Sequence, residues 1–484
     1  MMAHLPALQV LVPLLAAPLL LIVRHRGFAW AFAVLVSWAS LAIAALLLTE
    51  VLETGVVSYF MGGWAAPWGI ELRVDALNAY VLVVVAGIAS VVTPFARRSV
   101  ESEVDPEGAH GFYSAWLLAL AGLLGITVSG DAFNVFVFFE ITSLAQYALI
   151  ALGRDRRALT ASYQYLIMGT IGTTFLLIGI GLLYIMTGTL NMADLSVRLP
   201  VVEDTRTIQA AFAFVTVGVG LKLAMFPLHL WLPNAYTYAP SAVTALLAAT
   251  ATKVAVYVLI RFFFTVFGEP PLVWLLLPLA VIGIVSPSLV AIFQHDAKRL
   301  LAYSSVAQIG YMLLGISFAT VTGLTAALLH VFNHALMKGA LFLALGCVAF
   351  RIGSTSIAQM GGLGRQMPWT MAAFVVGGMS LIGVPLTAGF VSKWYLVLGA
   401  IERGWFAVVA VIVGASLLAA VYVWRVVERA YFHEAPDGRE VREAPLALLI
   451  PTWMLVLANL YFGVQTDLTV GVATRAARTL IGTP

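Results

Sequence analysis

Charge is what this chain is short of. Only 10% of its 484 residues are Asp, Glu, Lys or Arg, while 62% are apolar. Soluble domains carry about 25% charged residues, so an ordinary soluble globule is excluded. The net charge is only +3 and no basic tract is present, which leaves nucleic acid without a binding surface. Cysteine is nearly absent as well. Cys347 is alone, so no intrachain disulfide can form, and its apolar surroundings in sequence make it a packing residue. There is no CxxC set, no GxGxxG following a strand and no P-loop, and soluble redox or nucleotide chemistry therefore has no home. The N-terminal stretch MMAHLPALQVLVPLLAAPLLLIV lacks a basic n-region and a small-residue cleavage site, and is read as a retained first span.

Long apolar runs are what the chain has instead. A spanning helix needs about 20 mostly apolar residues, and on that rule an all-α integral membrane protein with about fourteen transmembrane helices is expected. With the N-terminus outside, the inside loops receive fifteen of the 26 lysines and arginines, Lys298 among them, and the outside segments seven, Arg261 among them. That is the bias of the positive-inside rule, so both termini are expected outside. Residues 1–110 form an N-terminal three-helix segment, 111–264 a first group of five helices, 272–427 a second, and 428–484 a loop and the last helix. An odd number of spans per group makes the second group an inverted copy of the first.

The fifteen and the seven leave four lysines, Lys222, Lys253, Lys338 and Lys393, and all four fall within spans. Among 23 acids, only Glu140 falls near the middle of one, whereas Asp75 and Asp131 lie near span ends, close to water. A charge at the bilayer centre costs at least about 2.5–3.5 kcal/mol. Snorkelling relieves a lysine near a helix end, and Lys222 is shallow enough to use it in part. Lys253 is not: it lies about 18 Å along a span beginning at 241, at 1.5 Å per residue. Lys338 and Glu140 are equally deep.

Desolvation favours the neutral form of an amine, and a nearby carboxylate favours the charged form. A buried lysine beside a movable charge can thus take up and release a proton, as a relay requires. Glu140 and Lys222 are the natural pair. His330, His334 and Lys338 recur at i, i+4 and i+8, one face of one helix, and suit a hydrogen-bonded path with bridging waters. The rival readings are a metal or a haem on the histidines, or ordinary core polar residues. A metal lacks a third ligand and meets the repulsion of Lys338, so no metal and no cofactor is expected.

Two spans are interrupted. The seventh contains Pro227 five residues after Lys222, and the twelfth, in GVPLTAGFVSK, contains Pro385 and Gly389 ahead of Lys393. An interior proline frees backbone carbonyls, which within a membrane is tolerated only against protein or a watery cavity. Broken helices 7 and 12 hold matching fourth places in the two groups, as in transport pathways. Glu140 and Lys253 have no counterparts in the second group.

The stretches SGDAFNVFVFFEITSLAQYALIAL (129–152), LKLAMFPLHLWLPNAYTYAPSAVTALLAATATKVAVYVLIR (221–261), HDAKRLLAYSSVAQIGYMLLG (295–315), HVFNHALMKGALFLALG (330–346) and GVPLTAGFVSKWYLV (383–397) resemble the antiporter-like proton-transporting subunits. These occur in respiratory complex I, membrane-bound hydrogenases and Mrp-type cation/proton antiporters. The resemblance covers about residues 110–430. It implies the two inverted repeats and carries the family's functional positions onto Glu140, Lys222, Lys253, His330, His334, Lys338 and Lys393. Lysine at 393 and the short tail after the last span favour the D-type member of Mrp antiporters over two complex I branches, while HLWLPNAYTYAPS is similar to hydrogenase-linked members. The implied setting is a bacterial or archaeal cell membrane. The implied partners are protons, other hydrophobic subunits and the lipid bilayer, with sodium, if exchanged, passing through another subunit. A subunit of a redox-driven pump, a standalone solute transporter and a scaffold that lost transport are the alternatives.

Overall fold

A backbone crossing hydrocarbon must satisfy its own hydrogen bonds, and a helix does so within one segment. The computed structural model describes residues 4–22, 25–106, 109–268 and 272–482. Among them, thirteen helices are long and apolar enough to span a membrane. In chain order they are Leu5–Ile22, Arg26–Thr54, Ala76–Glu103, Gly111–Val128, Ala132–Ala151, Arg157–Thr187, Arg206–Leu223, Ser241–Val266, Val273–Ile292, Ala297–Ser317, Val321–Ile352, Phe406–Phe432 and Leu446–Val464. The twelfth position is held by two half-helices, Pro368–Ile382 and Ala388–Glu402. The spans are numbered below with this broken pair as the twelfth, fourteen in all.

Local chemistry sets the ends. Asp75 opens the third span with a capping box, its carboxylate accepting from the Leu77 and Asn78 backbone while the Asn78 side chain bonds back. Asp131, Thr205, Asp296 and Thr320 cap the fifth, seventh, tenth and eleventh spans. Gly188 and Gly353 close the sixth and eleventh in the left-handed conformation that glycine adopts without strain.

The eleventh span is the hub. It packs against the third, eighth, tenth, twelfth and fourteenth, and nearly all of its residues from Gly323 to Val348 are buried. The sixth and seventh spans meet through glycine: a Cβ on Gly218 would lie 2.6 Å from Leu176 N and 2.7 Å from Gly172 O, so backbones touch where no larger residue fits.

Four features depart from the expected layout. Val57–Phe60 and Glu71–Val74 pair as a small antiparallel hairpin before the third span, the one sheet among the described residues. The seventh span stops at Leu223, with Ala224 left-handed, three residues before Pro227. The eighth span, expected continuous from 241 to 264, breaks at Thr250 (φ −126°, ψ −54°), which separates Ser241–Ala249 from Ala251–Ile260. Beyond the last span, Asp467–Ile481 forms an amphipathic helix that buries Thr469, Val472, Ala473, Ala476 and Ala477 against the third and eleventh spans.

Candidate functional site

All four in-span lysines are buried: Lys222 is 5% exposed, Lys253 and Lys338 0%, and Lys393 6%. None has a carboxylate within 4 Å among the described residues. Their ammonium groups rest instead on hydroxyls and on backbone carbonyls, several of them released by helix breaks.

Lys253 stands three residues past the Thr250 break and donates to the Ala248 carbonyl, which the interruption leaves without its helical partner, and to Thr252 Oγ1 at 3.2 Å. Lys393 does the same across the twelfth-span break. It bonds the Leu381 and Ile382 carbonyls at 3.0 and 2.9 Å, at the C-terminal end of Pro368–Ile382, and Ser416 Oγ of the thirteenth span at 2.9 Å. Each therefore places positive charge where carbonyl dipoles converge. Gly383 and Leu386 (φ 91° and 70°) make the turn between the halves. Lys338 reaches across to the tenth span, at Leu301 O (2.8 Å) and Ser304 Oγ.

His330 links three spans. One ring nitrogen lies 2.9 Å from Gln308 Oε1 of the tenth and the other 2.9 Å from Ser392 Oγ of the twelfth. The His334 ring stacks parallel to it at 6.0 Å between centroids, and both His334 nitrogens are buried without a protein partner among the described residues. The row expected along one helix face is present, yet its direct bonds run sideways into neighbouring helices. Tyr311 joins the row to the next lysine, its ring 5.6 Å from that of His330 and 4.9 Å beneath Lys393 Nζ. His330, Tyr311 and Lys393 are thus linked across the tenth, eleventh and twelfth spans, with His334 and Lys338 on the same face, and the half-helices flanking the Thr250 break, one of which carries Lys253, pack against that eleventh span.

Lys222 and Glu140 stand apart from that set. The expected ion pair is not made: Lys222 Nζ donates to Ser143 Oγ at 2.6 Å, one helical turn from Glu140, which acts on it only at longer range. Glu140 is half-buried on the side of the fifth span that also carries the exposed Phe133 and Leu144. The lysine sits instead on the adjoining face, over the Phe139 ring and on Ser143, so the pair stays open. At the seventh-span break, the Trp231 indole donates to the Leu221 carbonyl at 2.9 Å, holding the turn that contains Pro227. Pro385 lies in the corresponding turn of the twelfth span.

Gln308, Tyr311, Ser143, Ser304, Ser392 and Ser416 carry no signal in the sequence, because polar uncharged residues are common in spans; only their partners single them out. Asp75, expected close to water, and Arg261, placed by sequence among the loops, form a buried ion pair instead.

Residues 129–419 match the family described as NADH:quinone oxidoreductase/Mrp antiporter, TM. The chain is 44% identical to the N-type subunit of NADH-quinone oxidoreductase from Desulforudis audaxviator, over 96% of its own length and 97% of that protein's. It is 32% identical to the D-type subunit of the Na(+)/H(+) antiporter from Alkalihalophilus pseudofirmus, over 96% and 95% of the two chains. Its fold superposes on a chain of the Mrp complex from a Dietzia species with a TM-score of 0.92 and 28% identity, covering 99% and 97% of the two chains. With more than half its length inside the family match, this multi-pass membrane protein belongs to the NADH:quinone oxidoreductase/Mrp antiporter membrane-subunit family.

Proposed function

We propose that the chain is a proton-translocating subunit of a multisubunit cation/proton antiporter of the Mrp type. The observation that carries this reading is the set of four buried lysines without a contacting carboxylate among the described residues. They are seated on hydroxyls and carbonyls that hold an ammonium yet accept a neutral amine at little cost. Protons pass Lys253 and the His334, His330 and Lys338 group, and leave past Tyr311 and Lys393. Glu140, half-buried on an outward side, senses charge on a neighbouring subunit. Lys222 transmits that change by moving between Ser143 and Glu140. The relatives named as Na(+)/H(+) antiporter subunits support this reading. Sodium is carried by a partner.

A second reading has its own support in the 44% identity to the N-type subunit of a NADH-quinone oxidoreductase: the same proton path driven by redox partners. The proteins that co-purify with the chain decide between them, soluble redox subunits in one case and small hydrophobic ones in the other. For the path itself, Glu140→Gln is expected to slow proton-coupled exchange in everted vesicles about tenfold, since it removes the charge that couples the chain to its neighbour. Wild-type exchange in a correctly assembled Glu140→Gln complex would rule out that role.

A further inference from the structure

The eighth span carries Lys253, Tyr257 and Arg261 at i, i+4 and i+8, one above another on a single face. Arg261 meets Asp75 with two bonds of 2.8 Å each, the side chains 8% and 13% exposed, and gives a third of 2.8 Å to Asn78 Oδ1. The Asn78 amide nitrogen donates to the Tyr257 hydroxyl at 2.8 Å and to the Thr127 carbonyl at 2.5 Å. The Tyr257 hydroxyl donates in turn to that same carbonyl at 3.0 Å. An unbroken hydrogen-bonded line thus runs from one helical turn beyond Lys253 to the ion pair. It ends in a cavity of about 360 Å³ that opens at the end of the bundle bearing the β-hairpin, lined by Arg73, Asp75, Asn78, Ser129, Arg261 and Thr265. A buried ion pair adds little net stability over apolar side chains of the same volume. What this one supplies is a charged floor between an open cavity and a lysine helix.

We propose that this cavity is a second mouth of the proton path and that the Asp75–Arg261 pair is its gate. The inference rests on the proton-translocating reading given above. In the structure the gate is closed and Lys253 Nζ is turned away, onto Ala248 O. Once Arg261 turns aside and water from the cavity reaches Tyr257, the ammonium, swung toward the ring, gives its proton to the tyrosine oxygen as the tyrosine's own O–H breaks and its proton passes through that water to Asp75. Asp75, freed as Arg261 turns aside, then releases the proton to water in the cavity. Asn78 is a positioning residue, holding the Tyr257 hydroxyl in line. The N-terminal half therefore has its own opening, in addition to the route past Lys393.

The test uses the assembled complex in membrane vesicles and three variants. Tyr257→Phe removes the relaying hydroxyl and keeps the ring, and is expected to slow proton-coupled exchange about 100-fold. Thr265→Cys places a thiol in the cavity of a chain whose native Cys347 is buried. Labelling that thiol with a membrane-impermeant cationic methanethiosulfonate, applied to each vesicle face in turn, is expected to cause loss of exchange relative to the same vesicles before labelling. Because the label is added after assembly, a folding defect cannot imitate the result. Lys253→Ala reports on the underlying reading and is expected to be silent. Exchange at the wild-type rate in Tyr257→Phe, or a rate unmoved by labelling, overturns the second mouth while a silent Lys253→Ala leaves the proton reading standing. Exchange surviving in Lys253→Ala overturns both.

Discussion

Replacing Lys253 by alanine is expected to lower proton-coupled exchange by at least about 100-fold in a complex that still assembles, the scale lost when a positioned proton carrier is removed. The expectation follows from placement. Lys253 is fully buried, lies at a break in its own helix, and belongs to a span packed against the eleventh, which carries His330, His334 and Lys338. A purely structural role predicts something different. As a cap on Ala248 O, the lysine's removal would leave a buried carbonyl unpaired, at about 1–3 kcal/mol. That lowers thermal stability without stopping transport. Recording exchange and the melting midpoint of the purified complex separates the two: a silent complex with a modestly lowered midpoint supports the relay, whereas an active one with the same drop reduces Lys253 to a cap.

Arg261→Met carries the second large effect, on stability. Removing one partner of a buried ion pair costs about 3–5 kcal/mol, because the charge left behind has no solvent to replace it. Here the abandoned group would be Asp75, only 13% exposed. Pairing the change with Asp75→Asn should recover much of the loss, since asparagine still caps the third span and no buried charge remains. The melting midpoint of the assembled complex is expected to fall steeply in Arg261→Met and to return toward wild type in the double variant. Equal midpoints in Arg261→Met and the double variant would mean that the abandoned Asp75 charge is not the source of the loss.

The spans and the lysines are legible in the sequence because hydrophobicity and scarce charge are local properties. So is the interruption of the twelfth span, where the apolar run from Trp369 to Gly399 is too long for one straight helix and contains Pro385. The break at Thr250 is not legible. ATATK has neither proline nor glycine, and the unwinding is held by the Lys253 side chain returning to Ala248 O, a contact that no propensity encodes. Arg261 is hidden for a related reason. At the end of an apolar run an arginine looks like a loop residue, and its partner Asp75 lies 186 residues away in sequence. Lys298 is a parallel case: it falls with the inner loops in sequence, yet it is buried near Glu103 at 3.9 Å. The expected Glu140–Lys222 pairing equates proximity along a path with contact, whereas the face of the fifth span that carries Glu140 is set by packing against the fourth and sixth spans. The C-terminal helix does have a signal, since Thr469, Val472, Ala473, Ala476 and Ala477 keep helical spacing, but a search for spans passes over an amphipathic segment of 15 residues.

The most direct measurement is exchange by the Lys253→Arg complex in everted vesicles. Arginine keeps the positive charge and can still donate to Ala248 O, but it does not give up its proton in a protein. If the lysine works by releasing and regaining a proton, Lys253→Arg assembles normally and transports nothing measurable above a Lys253→Ala background. Exchange at the wild-type rate in Lys253→Arg would contradict the account, because a group that never deprotonates would then be filling the place given to a carrier.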